Sequence, residues 1–433
     1  MELSILGIAV SLAVILFLAL RGVGIMIIAP FAVVIVSLFS NMSPGEALMG
    51  PYMKGFVNYA SKFYLVFLFA SIFGKYMDDS GAARAIAAKI IALIGHKGPM
   101  WVLLAIALIT LLLTMGGVSL FVVIFAVLPI ARPLFRELDI PWHLFVATFI
   151  FGIGSISMTM IPGTPSILNV MPMKYLGTTA TAAPLLGIVG AVLLASFNIW
   201  YMNDQLKRAR ARGEGYALTG GTKEGEADKL AEKTLPPLWL AALPPIVLVL
   251  ALNVVKLDIV WALVTGCVTA AVLFWTHIEK QFATINAGAS NAAIPIINTC
   301  ADVGYGTAVA ATAGFKAITE ALMSIPGNPI FSVTLAAWLM TGITGSASGG
   351  LGIVLETLIQ KYVAAGVNPE LLHRIVTVAS GTFDAMPHNG VVITTLAVCG
   401  LTHMQAYKHV FWGHVVGTFL VLLVLIPLGI ALY

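Results

Sequence analysis

The sequence is 433 residues long, 59% hydrophobic and only 10% charged, with a mean hydropathy of +0.99 and a net charge of +4. Soluble domains carry about a quarter charged residues and just under half apolar ones, so a chain this poor in polar side chains cannot cover a globule in water. That composition excludes an ordinary soluble fold and identifies lipid as the solvent, and the small net charge gives no basis for a nucleic-acid partner.

Taken in chain order, apolar runs predict membrane spans near 3–20, 22–40, 57–77, 181–202, 237–255, 258–277 and 410–431. The first has no basic n-region and no small-residue cleavage site before the next run, so it reads as a retained helix rather than a signal peptide. Four further apolar stretches are interrupted: 100–137 at TMGGVS (114–119), 142–175 at PGTPS (162–166), 328–365 at TGSASGG (344–350) and 370–400 at DAMPHNG (384–390). Two amphipathic stretches, 82–95 and 306–324, suit helices lying at the membrane surface. One hydrophilic segment, 203–236, contains KRARAR directly after a span, which marks the cytoplasmic side. The cysteines (Cys267, Cys300, Cys399) lie far apart in apolar sequence and read as buried small residues, with neither metal nor disulfide indicated.

The parts on either side of the hydrophilic segment follow one order: two spans, a third span, an amphipathic stretch, two broken segments and a final span. Gly116-Gly117 answers Gly349-Gly350, and Pro162 answers Pro387. The predicted organisation is therefore a first repeat over 1–202, a cytoplasmic connector over 203–236 and a second repeat over 237–433. If the first broken segment of each half is a re-entrant hairpin and the second a discontinuous crossing helix, each half crosses an odd number of times and the two are inverted. Most of the 23 Lys and Arg residues then fall on the connector's side, as the positive-inside rule requires. The fold class expected is an all-α polytopic membrane protein with two inverted repeats, divided into a scaffold and a transport domain. Paired Gly/Pro-interrupted segments in corresponding halves are the sequence sign of a secondary transporter and of its binding site.

Backbone without helical hydrogen bonds survives in hydrocarbon only where protein or water lines it. A half-helix starting at a break presents a partially positive N-terminus suited to a carboxylate, and one ending there presents carbonyls suited to a cation. The side chains at the breaks match that use. Gly116, Gly117 and Ser119 form one hairpin tip; Thr344, Ser346 and Ser348 supply hydroxyls at the other, where Gly345, Gly349 and Gly350 admit a ligand to the backbone. Thr164, Ser166 and Asn169 line the first crossing break; Thr382, Asp384, His388 and Asn389 line the second. An acid within a membrane segment costs at least about 2.5 kcal/mol, which makes Asp384 a functional candidate. With His388 four residues on, it forms a proton or cation site; a helix cap near Pro387 is the compatible structural role. Asp302 reads as a helix-end or interfacial group, Glu320 and Glu356 as solvated, and His403, His409 and His414 as interfacial. Apart from His388 no basic residue falls within a break, which favours a monocarboxylate whose movement with one H⁺ is electroneutral.

TGSASGG followed by GTFDAMPHNGVVITTLAVCGLTHMQAYK (381–408) resembles the gluconate permease (GntP-type) family of proton symporters within the ion transporter superfamily. The resemblance implies inverted repeats, elevator-type movement of a transport domain against a dimerising scaffold, and an inner-membrane location in bacteria. It also implies substrate contact at 346–350 and 384–390, with 116–119 and 162–166 as counterparts. The tips carry fewer hydroxyls than sugar-acid members, closer to members that carry short hydroxy or keto acids such as 3-hydroxybutyrate. The expected function is thus symport of a small hydroxy-monocarboxylate with H⁺ or Na⁺, without another cofactor. An ion exchanger on the same architecture would want membrane acids in both halves, but Thr159 stands where the second half has Asp384. An enzyme would want a metal cluster or a nucleophile–base pair, which the sequence does not offer.

Overall fold

The computed structural model describes every residue except 1, 22, 95–96, 119, 221–234 and 388. Among the described residues all regular structure is helical. The first half contains α1 (Glu2–Leu20), α2 (Ile25–Phe39), α3 (Pro44–Asp79, through a widened π turn at Leu48–Tyr52) and α4 (Ala82–Ile94). It continues with α5 (Pro99–Met115), α6 (Leu120–Glu137), α7 (His143–Met160) and α8 (Pro184–Ala211). The second half contains α9 (Leu238–Asn253), α10 (Ile259–Leu273), α11 (Gln281–Ala310) and α12 (Ala313–Met323). It ends with α13 (Pro329–Thr344), α14 (Ala347–Thr357), α15 (Pro369–Ser380), α16 (Gly390–Cys399) and α17 (His403–Leu432).

The order α1–α8 is repeated by α9–α17, with α5–α6 matching the α13–α14 pair and the broken α7 matching α15 and α16. Among the described residues, four helices (α3, α7, α8 and α17) are long and apolar enough to cross a bilayer. The shortest has 18 residues, about 27 Å of helix, against roughly 30 Å of hydrocarbon. The outer faces of the bundle are apolar: Ile27, Phe31, Ile188 and Val192 are all more than half exposed. Trp200, Trp239 and Trp275, each more than 60% exposed, lie beside the hydrophilic connector or the 274–280 loop, where indole rings favour the membrane–water boundary. The chain is an all-α multi-pass membrane protein.

α3 and α11 pack antiparallel along their length. Glycines set their spacing, because apolar side chains gain nothing from lipid by associating and close backbone contact must supply the attraction. A Cβ at Gly288 would lie 2.7 Å from the Ile72 Cα, and one at Gly304 would lie 2.9 Å from the Tyr52 carbonyl. α11 runs unbroken to Ala310, so the predicted surface stretch 306–324 divides: its first residues complete α11 and only α12 is a separate amphipathic helix.

Candidate substrate and proton site

The second hairpin turns tightly. Gly345 adopts the left-handed conformation (φ 60°) that closes α13, and the Ser346 hydroxyl accepts from the Gly349 amide 3.1 Å away to cap α14. Ser348 and Gly349 therefore belong to the first turn of α14, and the break is narrower than 344–350. Across from it, the chain is non-helical over 381–387 and at 389. Asn389 caps α16 by accepting from the Val392 amide at 2.9 Å, while its Nδ2 donates to the Gly345 carbonyl at 2.7 Å. Two helix N-termini thus meet at one side chain. That cap belongs to Asn389, which overturns the expectation that Asp384 serves as one.

Asp384 has a different partner. His414, 4% exposed on α17, places Nε2 at 2.9 Å from the Asp384 Oδ1. The ring fits because residue 154 is glycine; a Cβ there would meet the His414 Nδ1 at 2.6 Å. His403 Nε2 donates to the Pro387 carbonyl at 2.8 Å, and the Tyr407 hydroxyl donates to the Ala385 carbonyl at 3.2 Å, so the first turns of α17 hold the break. The expectation that His403, His409 and His414 are interfacial is corrected: His409 and His414 are buried, and all three bond to other parts of the fold. His388 and Ser119 lie outside the described residues, as does the side chain of Thr344. Phe383 packs edge-on against Trp338 at 5.6 Å, and the buried Trp338 Nε1 has no hydrogen-bond partner.

Gly349 and Gly350 are packing residues. A Cβ at Gly350 would lie 2.5 Å from the Thr341 Cα, and one at Gly349 would lie 2.5 Å from the Asp302 Oδ2. Helix-to-helix contact fills the space that was expected to admit a ligand. Asp302 is corrected as well: it sits inside α11, 4% exposed, with Oδ1 buried and unpartnered. One turn earlier, the Thr299 hydroxyl lies 3.3 Å from the Ser348 hydroxyl, which is 3.4 Å from the Ser346 hydroxyl.

The first break is built around a residue far from it in sequence. Arg374, fully buried on α15, donates through Nη1 to the Thr159 carbonyl (3.0 Å) and the Asn169 Oδ1 (3.2 Å). Its Nε and Nη2 both reach the Ala182 carbonyl, at 3.1 and 2.8 Å. Asn169 also donates to the carbonyls of Thr164 (3.0 Å) and Ala180 (2.8 Å), so both ends of its amide are engaged by the protein. Ser166 donates to the Met158 carbonyl at 2.9 Å, whereas the buried Thr164 hydroxyl has no partner. A cation therefore does occupy a break, contrary to the expectation drawn from local sequence. Sequence spacing carries no sign of a partner so distant.

The breaks touch. A Cβ at Gly381 would lie 2.8 Å from the Thr159 Cγ2, so the two crossing breaks adjoin. At the first hairpin tip, Gly117 (φ 86°) lies against Pro165 of the first crossing break, Gly116 packs on Pro245 of α9, and Thr114 hydrogen-bonds Ser157 at 2.7 Å.

Two further polar clusters flank these elements. Glu356 at the end of α14 pairs with Lys62 of α3 (3.0 Å), accepts from the Tyr175 hydroxyl (2.7 Å) and bonds the Asn58 amide; it is not a solvated residue. On the connector side, Glu214, His143, His409 and Tyr201 form a chain with successive separations of 3.2, 2.7 and 3.1 Å. The Arg212 guanidinium, bonded to Glu214, holds that carboxyl down at about 2. A cavity of about 800 Å³ opens where α3, α11 and α14 meet, with Lys54, Lys316, Lys361 and Glu356 in its lining.

No family model matches the sequence. An uncharacterized transporter of Bacillus subtilis (strain 168), YxjC, is 34% identical over 457 aligned positions that cover 95% of each chain. An uncharacterized transporter of Haemophilus influenzae is 24% identical over 74% of each chain. Among solved structures, the fold is similar to that of the Alcanivorax borkumensis YdaH transporter, described as having an unusual topology, with a TM-score of 0.58 over 88% of each chain at 14% identity.

Proposed function

We propose that this chain, which belongs to the family of the Bacillus subtilis transporter YxjC, is a secondary active symporter that moves a small hydroxy-monocarboxylate with H⁺. The observation that carries the proposal is the Asn389–Gly345 hydrogen bond, which brings the N-termini of α14 and α16 together. Helix N-termini carry unsatisfied amides and the positive end of the dipole, and two of them form an anion site without a basic side chain. The unpartnered Trp338 Nε1 beside Phe383 and the hydroxyls of Ser346 and Ser348 add donors of the kind a hydroxy acid requires. The three lysines around the open cavity raise the local concentration of anions.

Proton coupling is assigned to Asp384, with His414 as its partner. H⁺ is favoured over Na⁺ because Arg374 already bonds the Thr159 carbonyl near the end of α7, where a metal cation would otherwise find its ligands. The repeated order of elements and the GntP-type resemblance support inverted repeats and elevator movement. In that reading α3 and α11 form the scaffold, the hairpins and broken helices form the moving part, and the Lys62–Glu356 pair is remade in each cycle. The same resemblance supports a homodimer in the bacterial inner membrane. The test is uptake of labelled 3-hydroxybutyrate and related short hydroxy and keto acids into proteoliposomes. An inwardly directed pH gradient should accelerate uptake of at least one acid, and no acceleration across the panel would refute the symporter.

A further inference from the structure

The proposed mechanism leaves one buried acid without a role. Asp302 lies on α11, one turn beyond Thr299, and faces the first turn of α14 so closely that only glycine fits at 349. Among the described residues no salt bridge or hydrogen bond reaches it, and its Oδ1 is buried and unsatisfied. The ionisable groups around it are Tyr52 from the π turn of α3, Tyr59 further along α3, and Cys300 on its own helix. None is a cation. An ionised carboxylate buried there is uncompensated except by the α14 N-terminus, where partial positive charge gathers.

That helix N-terminus is also half of the proposed anion site. We infer that Asp302 is a second proton-binding site, which competes with the substrate carboxylate for the N-terminal turn of α14. Two carboxylates sharing one such site cannot both be ionised at low cost. A monocarboxylate is therefore held at Ser346 and Ser348 only when Asp302 carries a proton, so that binding itself is linked to one proton. Loss of the proton returns Asp302 to the helix N-terminus and expels the substrate. This inference rests on the carboxylate-symporter reading and adds the residue that makes substrate binding itself depend on a proton.

The experiment is ligand-induced thermal stabilisation of the full-length chain by 3-hydroxybutyrate, titrated near pH 6 and near pH 8. Linkage to one proton at Asp302 weakens the apparent affinity of the parent protein by up to about tenfold per pH unit as pH rises, and D302N should lose that one-proton share of the pH dependence. Binding by the parent without pH dependence, or a slope in D302N as steep as the parent's, overturns the role of Asp302 alone. Absence of binding by the parent at both pH values, to 3-hydroxybutyrate and to every other acid of the uptake panel, removes the carboxylate reading itself. Should D302N fail to fold, proton uptake on adding 3-hydroxybutyrate to the parent in weak buffer decides the matter. About one proton per bound acid is expected, and none overturns the inference.

Discussion

Asn389 and Gly345 are 44 positions apart, yet the Asn389 amide donates to the Gly345 carbonyl at 2.7 Å. The same side chain caps α16 through the Val392 amide. One residue thereby fastens the second crossing break to the tip of the second hairpin, and the relative placement of two helix N-termini depends on it.

Replacing Asn389 with Ala removes both bonds. The lost cap costs about 1 kcal/mol, and the Gly345 carbonyl, left without its donor, adds about 1–3 kcal/mol. A lower melting temperature in detergent is expected, with substrate counterflow reduced more severely than the amount of folded protein. N389D keeps the cap acceptor but not the Gly345 donor, so it should regain no more than the cap's share of stability and leave transport impaired. Equal behaviour of the two variants in both assays would separate Asn389 from the site.

Arg374 supplies four hydrogen bonds to three acceptors within the first break. In R374A those buried oxygens lose their donors, at roughly 1–3 kcal/mol for each one left unsatisfied. The variant should unfold at a much lower temperature or fail to accumulate. R374K retains the charge but not the planar fork that reaches both Ala182 and Thr159, and it should remain measurably destabilised. A melting temperature unchanged in R374K would show that charge alone holds the break.

The Glu214 carboxyl is held at about 2, below its ordinary value of 4.5, chiefly by its hydrogen bond from Arg212 and then by its bond with His143. A depressed folded-state value stabilises the fold above the ordinary value, and that contribution is lost as pH falls from about 4.5 toward about 2. Because Glu214 is largely solvated, screening keeps the effect small. The melting temperature of E214Q, followed between about pH 6 and about pH 3, should fall less steeply than that of the parent. Parallel curves would remove Glu214 from the acid sensitivity.

Local physics explains how much of this was legible in the sequence. Spans and breaks follow from neighbouring residues, since an apolar run in lipid must satisfy its own backbone, and Gly, Ser and Pro interrupt it wherever they cluster. TMGGVS, PGTPS and DAMPHNG accordingly fell at breaks, and the repeated order of elements could be read without coordinates. TGSASGG misled in part: its serines and glycines continue as the first turn of α14, and two of those glycines serve close packing.

The sequence by itself determined that this chain is a multi-pass helical membrane protein, where its helices are interrupted and that Asp384 lies in an interruption. Only the tertiary structure decided which side chains complete those interruptions. Arg374 reaches Thr159 across 215 positions, His414 reaches Asp384 across 30, and Asp302 meets a hairpin tip from another helix. A buried charge is stabilised by whatever polar group packing brings within about 3 Å, and no spacing along the chain encodes that distance.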